Sequence, residues 1–130
     1  MENRELYRIA VGAMANAYAP YSGFHVGAAL LTEDGTVYTG VNVENAAYGA
    51  TICAERTAVA KAVSEGKRSF VKIAIVCTKG TSLPCGTCRQ VLAEFAPEIE
   101  VIVGDDEDSL RVFRLEELLP YSFTPADLLR

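Results

Sequence analysis

The sequence has 130 residues and a mass of 14.0 kDa, so ordinary domain sizes predict a single domain spanning residues 1–130. Half of its residues are hydrophobic and 22% are charged, a composition that excludes an intrinsically disordered chain. With a net charge of −5, the chain lacks the basic surface that phosphates require, which argues against nucleic acids and anionic membranes as partners.

The start of the chain has no targeting or membrane pattern. No apolar run approaches the roughly 20 residues of a membrane span. Residues 1–20 also lack the basic start and apolar core of a signal peptide. We therefore expect a cytoplasmic protein with no membrane partner. In that compartment, four cysteines favour metal binding or reactive thiols over disulfides.

The predicted secondary-structure elements alternate along the chain. Apolar residues from Leu6 to Ala17 recur at helical spacing, and this helix ends before Pro20. Residues 24–32 and 36–43 flank a turn at Glu33–Gly35 and predict a hairpin. A second helix is predicted over 53–66 and a third over 86–96. Strands are predicted over 71–77, 99–104 and 109–113, and a short helical turn over 115–119. This order predicts an α/β domain with helices packed on a central sheet.

Three cysteines occupy positions that suit a metal. Cys53 opens the second helix, while Cys85 and Cys88 open the third. A helix N-terminus stabilises thiolates, and two cysteines three residues apart can clamp one ion. Three protein ligands with one open position are the arrangement of a catalytic zinc, whose bound water becomes acidic. We therefore expect one Zn²⁺ per chain.

Two other potential ligands are expected to stay outside this site. Cys77 ends a buried strand run, where a free cysteine more often packs as an apolar side chain. His25, the only histidine, lies in a predicted strand, and no partner spacing supports it as a ligand.

Charged residues follow the cysteines closely. On a regular helix Glu55 and Cys53 would point apart, so they converge only if Cys53 lies at the helix boundary. Glu55 is then a proton shuttle; otherwise it is a surface residue of the first turn. Three thiolates and Zn²⁺ carry a net charge of −1, and Arg56 and Arg89 can neutralise it by donating to sulfur. The alternative for each arginine is a solvated cation on the helix surface.

The combination of Cys53-Ala54-Glu55 with the segment 84–90, Pro-Cys-Gly-Thr-Cys-Arg-Gln, resembles the zinc-dependent cytidine deaminases. The closest likeness is to their small homotetrameric three-cysteine type. The resemblance extends to residues 19–22, 24, 26–29, 42–46, 118–120, 123 and 127–128, which is nearly the whole chain. It implies a three-layer α/β/α fold, with a mixed five-stranded sheet and helices on both faces. It also implies a homotetramer.

The resemblance implies hydrolytic deamination of cytidine and 2′-deoxycytidine to uridine and 2′-deoxyuridine plus ammonia, a reaction of pyrimidine salvage. Hydroxide on the zinc would attack C4 of the pyrimidine while Glu55 moves the protons. The implied substrate contacts are Phe24 on the base, Asn42 and Glu44 on the ribose 3′-hydroxyl, the backbone around Ala54 on the pyrimidine, and Phe123 in a neighbouring subunit's site.

Pattern alone is also compatible with a purely structural role for several of these residues. Phe24 suits a strand core, and Asn42 and Glu44 share a strand face that solvent could cover. The small residues 27–29 indicate close packing of either a helix or a ligand. The acidic run 105–108 lacks the spacing of a calcium loop and predicts a solvated turn.

Two residues depart from the family pattern. Leu83 occupies a position where a small polar residue is expected, and Thr87 replaces a more common alanine. The nearest alternative function is another substrate on the same machinery, such as blasticidin S or another aminopyrimidine nucleoside, because blasticidin S deaminase shares the zinc motif and the C-terminal tail. A nucleotide or polynucleotide deaminase fits the acidic chain less well. A thioredoxin-like dithiol protein leaves Cys53 and Glu55 unexplained, and a structural zinc module needs a fourth ligand.

Overall fold

The computed structural model describes residues 1–129. The strands are β1 (Val26–Thr32), β2 (Val37–Val41), β3 (Phe70–Cys77), β4 (Glu100–Val103) and β5 (Arg111–Arg114). The helices are α1 (Asn3–Met14), α2 (Ala54–Ser64), α3 (Gly86–Phe95), α4 (Leu115–Leu118) and α5 (Pro125–Leu129), with a 3-10 turn at Tyr48–Ala50. Among residues 1–129, no helix combines the length and apolarity needed to cross a membrane.

The five strands form one sheet in the order β2-β1-β3-β4-β5. Strand β1 is antiparallel to both β2 and β3, β3 is parallel to β4, and β5 is antiparallel to β4. The parallel pair β3–β4 is joined through α3, as a parallel crossover requires. The predicted mixed five-stranded sheet is thereby confirmed.

Helices cover both faces of this sheet. On one face, Leu6 and Ala10 of α1 pack in a cluster with strand residues such as Ala74. On the other, Ala58 of α2 and Leu92 of α3 pack in a second, larger cluster. Every residue of β1 is buried, because the strand is covered on both sides. The prediction of three layers is confirmed.

Two glycines let the helices approach the sheet closely. A Cβ on Gly27 in β1 would collide with the carbonyl oxygen of Ala10 in α1. A Cβ on Gly40 in β2 would collide with the carbonyl oxygen of Ala54, the first residue of α2. At Gly27, therefore, a helix and not a ligand explains the small residue. At Gly40, the close approach holds the start of α2 against the sheet.

The element boundaries differ from the predictions in a few places. Helix α1 ends at Met14 rather than Ala17, because the next amides turn back by three residues, as in the bond from Ala17 N–H to the Met14 carbonyl. Helix α5 was not predicted. The acidic run is an exposed turn, as predicted, but its Glu107 also pairs with Arg8 of α1 at 2.6 Å.

Candidate active site

Three cysteines converge where α2 and α3 begin. Cys53 precedes α2 with an extended backbone (φ −74°, ψ 156°), and Cys85 precedes α3 in the same way (φ −67°, ψ 168°). Cys88 lies one turn into α3 and is fully buried. Their three sulfur atoms lie within 4.8 Å of one another. The two helix starts thus deliver three thiols to one point.

The chain geometry before each helix explains this convergence. Ile52 pairs with Val43 through two backbone hydrogen bonds of 2.9 and 3.0 Å, which align the approach to Cys53 with the end of the β2 segment. On the other side, buried Pro84 precedes Cys85, and the Cys85 carbonyl accepts the Arg89 N–H at 2.9 Å as α3 begins.

The donor set fits a tetrahedral zinc ion. Zinc–thiolate bonds of about 2.3 Å place neighbouring sulfurs about 3.8 Å apart in a tetrahedron. Here the Sγ–Sγ distance is 3.8 Å for Cys53 and Cys85 and 3.5 Å for Cys85 and Cys88. Within residues 1–129 the cluster consists of these three cysteines. Three ligands leave one position of the tetrahedron for a water or a substrate atom.

Proton sharing among the thiols also fits a cation site. The nearby Cys88 thiol, together with the Arg56 guanidinium, lowers the pKa of Cys53 to about 5. The pKa of Cys88 is raised, because its thiol lies near the Cys53 sulfur and is buried. Closely spaced buried thiols cannot all ionise without a compensating charge, which a divalent cation supplies.

The two remaining potential ligands lie apart from this cluster. The thiol of Cys77 donates towards the carbonyl oxygens of Lys79 and Gly80, at 3.4 and 3.3 Å. The backbone of His25 pairs with Thr78, whose Oγ1 accepts the His25 N–H at 2.7 Å. Neither belongs to the cysteine cluster, in agreement with the sequence-based expectation.

Glu55 lies in the first turn of α2 and is only 5% exposed. Burial raises the pKa of its carboxyl group to about 7, and the neighbouring Cys53 adds to this shift. Cys53 has the extended boundary geometry that lets the two residues share one cavity. A surface role for Glu55 is therefore wrong. Near neutral pH this carboxyl group can both accept and donate a proton.

The two arginines behave differently. Nη2 of Arg56 reaches the Cys53 sulfur at 3.5 Å, and its buried Nε has no hydrogen-bond partner among residues 1–129. The Nη2 hydrogen bond would be stronger to an ionised Cys53 thiolate. Arg89 instead donates to the carbonyl oxygens of Pro84 and Leu118, at 2.8 and 2.7 Å. The expectation that Arg89 donates to sulfur is thus corrected: its planar fork binds backbone oxygens.

A cavity of about 180 Å³ opens over the cysteines. Its lining residues are Phe24, Val26, Asn42, Thr51, Ile52, Cys53, Ala54, Glu55, Ser82, Leu83 and Cys85. It shares Thr51 with a neighbouring hollow of about 410 Å³, lined by Tyr21, Ser22, Glu44, Asn45, Tyr48 and Thr51. Phe24 precedes β1 and remains 42% exposed, so it belongs to the cavity wall and not to a strand core.

Asn42 and Glu44 both hold the chain around this cavity. The Asn42 side chain accepts the Val26 N–H at 2.9 Å and donates to the Phe24 carbonyl at 2.7 Å. Glu44 accepts the backbone N–H groups of Tyr21 and Ser22 at 3.0 and 3.1 Å, and also the Ser22 hydroxyl. The Ser22 hydrogen bond is the main reason that the pKa of Glu44 is lowered.

Two further predicted residues have contrasting positions. Ala54 is fully buried and lines the cavity through the start of α2. Phe123 is 58% exposed and lies outside the residues that line the two cavities, while its carbonyl accepts the Gln90 side chain at 2.8 Å. Thr51, which both cavities share, was not predicted. Its position two residues before Cys53 was the only signal in the sequence.

Comparisons with known proteins agree with this site. The family model of the cytidine and deoxycytidylate deaminase zinc-binding region matches residues 1–104. A cytidine deaminase of Halalkalibacterium halodurans is 49% identical over 130 residues, which cover 98% of both chains. A cytidine deaminase of Sporosarcina psychrophila is 51% identical over 118 residues, or 89% of this chain and 87% of that protein.

Similarity in three dimensions is equally extensive. The crystal structure of cytidine deaminase from Burkholderia pseudomallei matches with a TM-score of 0.89 at 47% identity, covering 95% of this chain and 100% of that one. This match excludes the thioredoxin-like alternative. Because the family model matches residues 1–104 and the sequence relative from Halalkalibacterium halodurans and the solved structure match nearly the full length, the chain belongs to the cytidine deaminase family.

Proposed function

We propose that this protein hydrolyses cytidine and 2′-deoxycytidine to uridine and 2′-deoxyuridine with release of ammonia. The observation that carries this proposal is the buried carboxyl group of Glu55, with its pKa near 7, beside a three-thiol cluster at the base of a cavity. An open metal position and an adjacent proton carrier are the parts that hydrolytic deamination requires.

Cys53, Cys85 and Cys88 would hold one zinc ion per chain. When bound, zinc supplies Lewis-acid activation of water at neutral pH. Three thiolates exceed the charge of Zn²⁺ by one unit, and Arg56 is placed against Cys53 to offset that excess. The charge-neutralising role is therefore proposed for Arg56 through a direct contact, whereas Arg89 acts on the backbone.

Glu55 would carry the protons of the reaction. It accepts a proton from the attacking water and passes it to N3 of the pyrimidine. It then takes the proton of the new C4 hydroxyl group and gives it to the amino group, so that the C4–N bond breaks, the C4 carbonyl forms, and one ammonia is released for each water consumed. A carboxyl group with a pKa near the working pH performs both transfers efficiently. Burial of the side chain provides that pKa.

The nucleoside would extend from the smaller cavity towards the larger hollow. Phe24 offers an aromatic wall for the base, and the backbone at Ala54 offers polar groups for its edge. Asn42 and Glu44 would bind the ribose 3′-hydroxyl. The Glu44 carboxylate has about four acceptor positions. Three are used by Tyr21 and Ser22, so one remains for a hydroxyl.

We further propose a cytoplasmic homotetramer that acts in pyrimidine salvage, with Phe123 completing a neighbour's site. Exposed apolar side chains around the two cavities, such as Tyr21, Tyr48 and Ile52, support association. The thiol cluster supports a reducing compartment, because a disulfide would remove its ligands.

The test is the ultraviolet change of cytidine incubated with purified protein, with zinc measured on the same sample. We expect conversion to uridine with about one zinc per chain. Bound zinc without conversion of cytidine or deoxycytidine would overturn the proposed substrate, and blasticidin S and cytidine monophosphate would then be assayed. Sedimentation analysis tests the assembly separately, since four chains of 14.0 kDa are expected to move together.

A further inference from the structure

The start of α3 contacts the C-terminal segment of the chain through two consecutive side chains. Arg89 donates to the Leu118 carbonyl at 2.7 Å, and Gln90 donates to the Phe123 carbonyl at 2.8 Å. These residues directly follow Cys88, one of the three clustered cysteines. The C-terminal segment, residues 118–127, is therefore attached to the helix turn that carries two of the three thiols.

Between these two anchors the backbone adopts an unfavourable conformation. Tyr121 has φ of +53°, the only such value at a non-glycine residue within residues 1–129, and its side chain is fully exposed. Such a conformation persists only where the surroundings determine it from both sides. Since the Tyr121 side chain is fully exposed, the hydrogen bonds at Leu118 and Phe123 supply that constraint.

Phe123 is held by its backbone rather than by burial of its ring. Its carbonyl binds Gln90, and the next residue, Thr124, donates its N–H to the Asp127 carboxylate at 2.9 Å as α5 begins. The ring nevertheless remains 58% exposed. The fixed backbone therefore holds an exposed apolar ring that is available for contact with a second chain.

Arg89 also fixes the other side of the site. Its Nε donates to the carbonyl of Pro84, the residue before Cys85, at 2.8 Å. One guanidinium thus ties the turn that positions Cys85 to the end of α4. The planar fork of arginine suits two separate carbonyl acceptors, which a lysine ammonium cannot hold in the same geometry.

We propose that Arg89 and Gln90 are positioning residues that hold the C-terminal segment against the start of α3, so that Phe123 is placed to complete the substrate site of a neighbouring subunit. The inference rests on the proposed deaminase function. In this proposal the two residues position the C-terminal segment through hydrogen bonds and do not neutralise the charge of the thiolates.

The test uses zinc-loaded protein and the variant Gln90→Glu, which replaces the amide donor with an acceptor facing the Phe123 carbonyl. We expect amide hydrogen exchange in residues 119–125 to rise by up to about tenfold, the effect of one lost hydrogen bond. Exchange in α2 and the zinc content are expected to stay unchanged. Gln90→Lys, which keeps a donor, is expected to restore slow exchange. Glu94→Ala, an exposed change on the same helix, is the matched control.

Kinetics supply the second measurement. Gln90→Glu is expected to raise KM for cytidine severalfold while kcat stays within about twofold, because the variant alters positioning and not proton transfer. In a Phe123→Ala background the same change is expected to leave KM unaltered. Arg89→Lys is expected to raise exchange both in 118–124 and in 82–88, since a single ammonium group cannot bind the Pro84 and Leu118 carbonyls together in the same geometry.

Unchanged exchange in 119–125 of Gln90→Glu would overturn the proposal, and so would faster exchange with an unaltered KM. The exchange measurement needs no substrate. It therefore separates failure of the anchoring from failure of the proposed deaminase activity, which the wild-type assay reports by itself.

Discussion

The two helix starts that form the site are built differently. The start of α2 is pressed onto the sheet: Ala54 is fully buried, Glu55 is 5% exposed, and Gly40 leaves no space for a side chain between strand and helix. The start of α3 is more open: Cys85, Gly86 and Thr87 are exposed, although Cys88 is buried, and Arg89 stabilises the turn by donating to backbone carbonyls.

This difference separates two tasks. A proton carrier needs a low-dielectric environment to raise its pKa, and the buried start of α2 provides it for Glu55. Metal ligands need fixed positions but not burial, and hydrogen bonds alone can fix them. We conclude that the start of α2 provides the proton carrier, while α3 supplies two ligands and binds the C-terminal segment.

The largest effect is expected from Glu55→Gln. It preserves the shape of the side chain but removes the proton carrier, so turnover should fall by about 10² to 10⁴-fold with zinc retained. Steady-state kinetics and metal analysis on the same preparation measure both quantities. Glu65→Gln, at the opposite end of α2, is the control and should keep full activity. A normal rate for Glu55→Gln would refute the proton-carrier role.

Gly40→Ala tests the close packing of α2 directly. The added methyl group collides with the Ala54 carbonyl, so the free energy of unfolding should fall by about 1–3 kcal/mol. Turnover should also fall, because a shift of α2 displaces Glu55. Gly12→Ala is the matched control, because Gly12 lies in α1 with open space around it and should be neutral or stabilising. Denaturant unfolding distinguishes them; equal stability of both variants would contradict the packing argument.

Arg56→Ala removes the guanidinium from the Cys53 sulfur without altering the ligands. Zinc should dissociate about tenfold faster in the presence of a chelator, because the excess negative charge of the thiolates loses its partner. Arg68→Ala, at an exposed arginine beyond α2, should leave the dissociation rate unchanged. If both variants release zinc at the wild-type rate, the charge argument is wrong.

The smallest effect is expected at the open start of α3. Thr87→Ala changes an exposed residue between two ligands, and both zinc retention and turnover should stay within about twofold of the wild type. A large loss of either would show that the start of α3 is as tightly packed as that of α2. Thermal unfolding of the same variant measures any effect on the fold.

The hydrophobic pattern of the sequence was sufficient to predict most of the fold. Strands β1, β3 and β4 are short apolar runs and α1 has apolar residues at helical spacing, so the order of these elements follows from local sequence. Helix α5 was missed because five residues carry too little periodicity to be recognised. The end of α1 was misplaced by three residues because the apolar spacing continues to Ala17, while the backbone tightens after Met14.

The residues of the site were less evenly predictable. Cysteine spacing is a local property, and it correctly identified the three thiols that the structure brings together. The burial of Glu55 depended on whether Cys53 adopts an extended backbone, which periodicity does not encode. The partners of Arg89 lie up to 29 residues away along the chain, and no local pattern marks a carbonyl as an acceptor.

The sequence by itself determined an α/β protein with three cysteines at two helix starts, because composition, periodicity and motif spacing are local properties; the cytidine deaminase type was indicated by resemblance of those motifs. Only the tertiary structure decided which arginine reaches sulfur, how deeply Glu55 is buried and what holds the C-terminal segment. Those features depend on distances between residues far apart in sequence, and packing alone determines such distances.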